Sequence, residues 1–237
     1  MIRFALIVGI VSLLISTGLA QFNVELHGQF NTFQMEDLKE LQKNLFIDPI
    51  VPMETVYSFP AYIGFKGSIT YVLDNDLELG GALLYASTGG RVQYQDFSGS
   101  ITGDQLTHAF TFGALGRKTL KKTEKIGFGV SGLAGVELTK LILDNSIKIG
   151  NTFAESNEKF NALGIVILPS LFFKYHFNEK IYLIADAGYH WTVYQDTYRW
   201  IGDNEAELFL DGSDDPLKPN WDGLRAGFGV GYFLNVR

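Results

Sequence analysis

Residues 57–73 alternate almost without interruption for seventeen positions. Tyr57, Phe59, Ala61, Ile63, Phe65, Gly67, Ile69, Tyr71 and Leu73 carry no charge, whereas Ser58, Gly64, Lys66, Ser68 and Thr70 fall between them, with Tyr62 the one large ring on that side. Side chains alternate faces along a strand, so this segment predicts a β-strand with one greasy and one polar face. The pattern recurs, and strands are expected over roughly 22–33, 57–73, 77–94, 105–118, 124–142, 159–177, 181–195 and 221–236. Helical periodicity is confined to 35–45, where Leu38, Leu41 and Leu45 are separated by charges.

The connections alternate in length. Long ones are expected at 34–56, 95–104, 143–158 and 196–220. Short ones fall at Asp74–Asp76, around Thr119–Thr123 and at Asn178–Lys180, where Asp and Asn suit tight turns. Long loops at one end and tight turns at the other are the layout of a transmembrane barrel, loops outside and turns periplasmic.

The choice between a soluble barrel, greasy inside, and a membrane barrel, greasy outside, rests on the polar face. It combines many glycines with a few charges: Glu25, Lys66, Glu78, Glu137, Lys174, Asp186 and Arg225. Glycine suits a narrow interior, and a hydrated exterior would be far richer in Lys and Glu. The apolar face carries Phe59, Tyr71, Tyr175, Phe177, Trp191 and Tyr232 near its ends, as aromatic girdles require. The fold expected is therefore all-β, an eight-stranded antiparallel up-and-down transmembrane β-barrel. Closure leaves no edge strand in hydrocarbon.

The chain opens Met1-Ile2-Arg3, runs apolar from Phe4 to Ile15 and reaches small residues at Gly18 and Ala20, which predicts an exported chain cleaved after Ala20. Residues 1–20 are thus expected as signal peptide and 21–237 as one barrel domain, with no further domain after the last strand. Cysteine is absent, so no disulfide contributes. The net charge of −7 argues against nucleic acid as a partner.

These features resemble the small outer-membrane β-barrel proteins of Gram-negative bacteria, the OmpA/OmpX-like group. The final segment Gly227-Phe228-Gly229-Val230-Gly231-Tyr232-Phe233-Leu234-Asn235-Val236-Arg237 looks like the signal read by the barrel assembly machinery, although it ends in Arg237 and not an aromatic. The resemblance implies residence in the cell outer membrane, with lipid, lipopolysaccharide, the assembly machinery and other outer-membrane proteins as partners. It implies no activity.

The inward charges are read as a salt-bridge network filling a lumen just wide enough for side chains. Lys174 and Asp186 are expected to meet diagonally across the 178–180 turn. His27, His176 and His190 point inward at different heights, which does not make a metal site. Ser87 and His108 fall on the apolar face of adjacent strands and are the candidate nucleophile and base of a lipid A-modifying enzyme. No Asp or Glu is expected on that face to orient the histidine. Asp211, Asp214 and Asp215, in an acidic last loop, offer oxygen ligands to a divalent cation without a complete calcium-loop pattern. Lys118, Lys121, Lys122 and Lys125 gather at a periplasmic turn, where anionic headgroups or a periplasmic partner would meet them. The sequence is thus read as a non-enzymatic, cofactor-free barrel whose outer loops present a binding or envelope-organising surface, in isolation or as an accessory subunit. A lipid A-modifying enzyme and a narrow channel are the alternatives.

Overall fold

The computed structural model describes residues 20–44, 54–210 and 214–236. The expected signal peptide, apart from Ala20, lies outside them. Twelve elements follow in order: β1 (Ala20–Asn31), α1 (Glu36–Asn44), β2 (Glu54–Ser58), β3 (Tyr62–Leu73), β4 (Leu77–Gln95), β5 (Gly99–Lys122), β6 (Ile126–Ile149), β7 (Thr152–His176), β8 (Ile181–Gln195), β9 (Arg199–Trp200), β10 (Asp203–Glu207) and β11 (Gly223–Val236). Eight of the strands close a ring, β1-β3-β4-β5-β6-β7-β8-β11 and back to β1, each antiparallel to both neighbours. The closing seam runs from Ala20 opposite Val236 to Asn31 opposite Arg225.

The two faces sort as the alternation requires. Leu26, Phe65 and Trp191 project from the wall at 72%, 61% and 57% exposure, and Leu138, Leu171, Phe228 and Val230 join them. Between them Asn23, Glu25, His27, Gln29, Lys66, Thr70 and Glu78 are buried in the lumen. A wall that is greasy outside and polar inside is stable only in hydrocarbon. Aromatic pairs brace the periplasmic rim, with Phe22 edge-on to Tyr71 and Tyr175 edge-on to Phe177.

Two boundaries differ from the sequence reading. The segment 57–73 is not one strand. β2 ends at Ser58, Phe59 takes left-handed backbone (φ 43°), and β3 begins at Tyr62. Pro60 has no N–H to give a ladder, and the chain breaks around it. Phe59 leaves the expected girdle and is buried in the extracellular core. The second difference lies at 95–104 and 143–158, expected as loops. β4 to β7 run on as paired strands, leaving only Asp96–Ser98 and Gly150–Asn151 as connections. Beyond the plug, water reaches both faces of the strand ends, where Ile147, Ile149 and Phe153 are exposed, so no apolar alternation marks them.

The extracellular mouth is plugged. α1 and the chain after β8 lie over it, and Phe33, Met35, Leu38, Leu41, Phe59, Tyr198, Leu217 and Trp221 pack on inward residues such as Leu141 and Phe160. Trp221 Nε1 donates to Thr139 Oγ1 at 2.9 Å, tying the plug to β6.

The glycines of β11 are set by what lies over them. Gly231 stands between Tyr182 and Glu25 in one cross-strand row, and a Cβ there would overlap the Tyr182 ring. Tyr182 thereby reaches across Gly231 to donate to Glu25 Oε1 at 2.6 Å. We predict that Gly231→Ala displaces this ring and lowers stability by about 1–3 kcal/mol, measured by urea unfolding of protein refolded into lipid vesicles.

Candidate functional site

The lumen is built from the inward positions of the ring. Low in the barrel, Arg117 on β5 donates to both oxygens of Glu25 on β1, at 2.6 Å each. Lys174 on β7 reaches Glu78 on β4 at 2.5 Å, and Lys66 on β3 bonds Asp186 on β8. Each of these pairs joins strands three places apart in the ring. Lys174 therefore does not meet Asp186, although Phe172 opposes Asp186 as the turn geometry requires. In so narrow a barrel the opposite wall is as close as the next strand but one.

The three pairs touch. Arg117 Nη1 also lies 3.4 Å from Glu78 Oε2, Lys174 lies 3.6 Å from Glu25, and His27 sits between Glu25 at 3.2 Å and Asp186 at 3.4 Å. Three carboxylates thus meet three Lys and Arg cations. Ser68 Oγ completes the shell of Glu25 at 2.9 Å. Phe172 and Tyr182 lie under the cations, with Lys174 Nζ 4.8 Å from the Tyr182 ring centre.

Glu137 and Arg225 stand apart from this cluster. Glu137 Oε2 accepts from Thr111 at 3.1 Å and lies 3.1 Å from His190. Arg225 forms no ion pair among the described residues. It donates to the carbonyls of Thr32 at 2.5 Å and Trp221 at 2.7 Å and lies over the Phe33 ring, fastening the plug. Sequence reasoning missed Arg117. The signal was a charge count, since Glu25, Glu78, Glu137 and Asp186 faced only Lys66, Lys174 and Arg225.

On the outside, Ser87 and His108 are direct cross-strand partners. The histidine Nδ1 is instead 2.9 Å from the Tyr85 hydroxyl, and Lys140 stands on its other side. No hydrogen bond joins Ser87 to His108 among the described residues. Contrary to expectation, carboxylates do share the outward face. Asp104 and Asp144 stand opposite each other on the extended β5 and β6, where loops were expected. Asp104 is engaged by Arg91 through two bonds of 2.5 Å, and those bonds raise the guanidinium pKa further above its ordinary value.

Asp214 and Asp215 are exposed beside the Phe209–Pro216 bridge, and Asp211 lies outside the described residues. Among the described residues no group of three His, Asp or Glu side chains could hold a metal ion. The acidic loop is partly ordered by the β9–β10 hairpin, with Arg199 3.4 Å from Asp196 and 3.7 Å from Glu207. At the periplasmic turn Lys118 donates to the Asn75 carbonyl and Lys122 lies 2.9 Å from Asp76.

The closed ring, the greasy wall and the polar lumen decide the class. This chain folds as an eight-stranded transmembrane β-barrel of the outer-membrane type. No family model and no curated protein matches the barrel's sequence. Among solved structures, the barrel is similar to the attachment invasion locus protein Ail of Yersinia pestis, at 11% identity over 92% of this chain and 100% of that one (TM-score 0.40). It is similar to the outer membrane protein OprG of Pseudomonas aeruginosa, at 12% identity over 92% and 97% (TM-score 0.43). It is also similar to the outer membrane protease OmpT of Escherichia coli, at 11% identity over 92% and 98% (TM-score 0.40).

Among the described residues Ser87 makes no hydrogen bond to His108, the contact a serine nucleophile takes from its base. We predict that cells expressing Ser87→Ala at wild-type levels show an unchanged lipid A profile by mass spectrometry. Loss of an acylated or deacylated species would restore the pair as a catalytic site.

Proposed function

We propose that this protein is a non-enzymatic barrel whose extracellular sheet is a rigid platform for a partner at the cell surface. The observation that carries the reading is apolar exposure on ordered strand tips. Phe97 is fully exposed at the β4–β5 tip, and Ile149 and Phe153 are about 60% exposed at the β6–β7 tip beside it. Gly150 N donates to the Ser98 carbonyl at 3.0 Å and holds the tips together.

The tips are not loose. Asp96 accepts from Ser98 Oγ at 2.7 Å, Ser98 N at 2.8 Å and Gly99 N at 3.0 Å, and these bonds hold its carboxyl below the usual aspartate range. A left-handed Gly150 closes the neighbouring turn. Exposed apolar groups held in place favour association, because little conformational freedom remains to be lost on binding. The plugged mouth and the ion pairs across the lumen support this reading over a channel.

Envelope organisation as an accessory subunit is the form of the proposal that a pull-down reads directly. We expect a mild-detergent pull-down from its own outer membranes to retain a co-purifying protein, and the double variant Phe97→Ser, Phe153→Ser to lose it while remaining folded. A wild-type protein recovered only as a free monomer, or a partner indifferent to both substitutions, would contradict the proposal.

A further inference from the structure

Where β3 leaves β4, the outer wall carries a cleft. The β3–β4 ladder stops at Phe65 opposite Tyr85, and β2 takes up β4 only from Gly90. The intervening stretch of β4 is bridged by the Phe59–Ala61 bend, through Phe59 N to the Gly89 carbonyl and Thr88 Oγ1 to the Pro60 carbonyl, both at 2.8 Å. Beside this bend lies a cleft of about 560 Å³, walled by Tyr57, Pro60, Tyr62, Leu106 and Ile142. That volume falls in the range of small-molecule sites, about 300–1,000 Å³.

One cross-strand row supplies its polar groups. Tyr57, Arg91, Asp104, Asp144 and Asn157 oppose one another in succession from β2 to β7. Carboxylates directly opposite each other on a sheet repel. Asp104 is satisfied by Arg91, whereas Asp144 has no hydrogen-bond or ion-pair partner among the described residues. Its diagonal neighbours on β7, Lys159 and Glu155, carry opposite charges. Among the lining side chains, two carboxylates and one guanidinium leave one negative charge in excess, and Lys159 opposes the wall residue Ile142 from outside the lining.

We propose that this cleft binds a small monocationic amphiphile, an aryl- or alkylammonium whose charge meets Asp144 and whose apolar body lies against Tyr57, Tyr62, Leu106 and Ile142. Charge complementarity selects the ammonium, and the apolar walls select its body over a bare inorganic cation. The cleft lies on the outer face of the sheet, above the Tyr85 and Phe110 aromatic pair, so a ligand reaches it without passing through the lumen.

The test uses 2-phenylethylamine and its neutral analogue 2-phenylethanol, titrated against the isotope-labelled barrel in phosphatidylcholine nanodiscs. Amide shifts of Arg91, Asp104 and Asp144 are followed. The amine is expected to shift these amides saturably, with the alcohol about two- to fivefold weaker. Asp144→Asn is expected to weaken the amine by about fivefold and leave the alcohol unchanged. Equal affinities for amine and alcohol on the wild-type protein would overturn the proposal without any variant. So would an amine affinity indifferent to Asp144→Asn, shifts located elsewhere, or no saturable shift.

Discussion

The carboxylate of Glu25 is the constraint on which the barrel interior depends. It is buried in the lumen and accepts from Arg117, Tyr182 and Ser68, with His27 beside it. A buried charge without partners is costly, so every group around it has a prescribed place. Tyr182 can reach it only over a residue lacking a side chain, hence Gly231. Arg117 is drawn across from the far wall, which leaves Glu78 to Lys174 and Asp186 to Lys66. Charge, glycine placement and strand number are one design, since only a ring this narrow lets opposite walls bond.

The same closure separates the lumen from the outer surface. The lumen is filled by ion pairs below and sealed by Trp221, Tyr198, Met35 and their neighbours above. Outside, β4 to β7 continue beyond the membrane as a sheet. One face of that sheet covers the plug, and the other carries the row from Tyr57 to Asn157. The apolar tips and the acidic cleft are features of this extension, not of the barrel itself.

The membrane-spanning part was legible in the sequence because hydrocarbon and lumen impose opposite demands on alternate residues. Leu26 against His27, or Val230 against Gly231, carries that signal directly. It fades where both faces meet water, and Gly99–Gly103 and Asp144–Ile149 consequently read as loop. Pro60 offered a signal for the break between β2 and β3 that the continuous alternation over 57–73 masked, and the inward turn of Phe59 depends on the plug beneath it, which no local pattern announces. The partners of the inward charges were equally hidden. Lys174 and Asp186 are close in sequence, yet each bonds a residue from a distant strand. Ser87 stands opposite His108 in the strand register, but the histidine Nδ1 lies 2.9 Å from the Tyr85 hydroxyl, a contact that register alone does not announce.

The most direct test of this account is a double-mutant cycle on Glu25 and Arg117, using Glu25→Leu, Arg117→Met and both together. Stability would be read from reversible urea unfolding in lipid vesicles. Each single substitution removes the closest partner of a buried charge, leaving Arg117 with Glu78 at 3.4 Å or Glu25 with Lys174 at 3.6 Å, and is predicted to cost about 3–5 kcal/mol. The double variant removes both charges and is predicted to cost less than their sum by about 2 kcal/mol or more. Additive costs, or singles near zero, would show that the ion pairs across the lumen do not hold the barrel together.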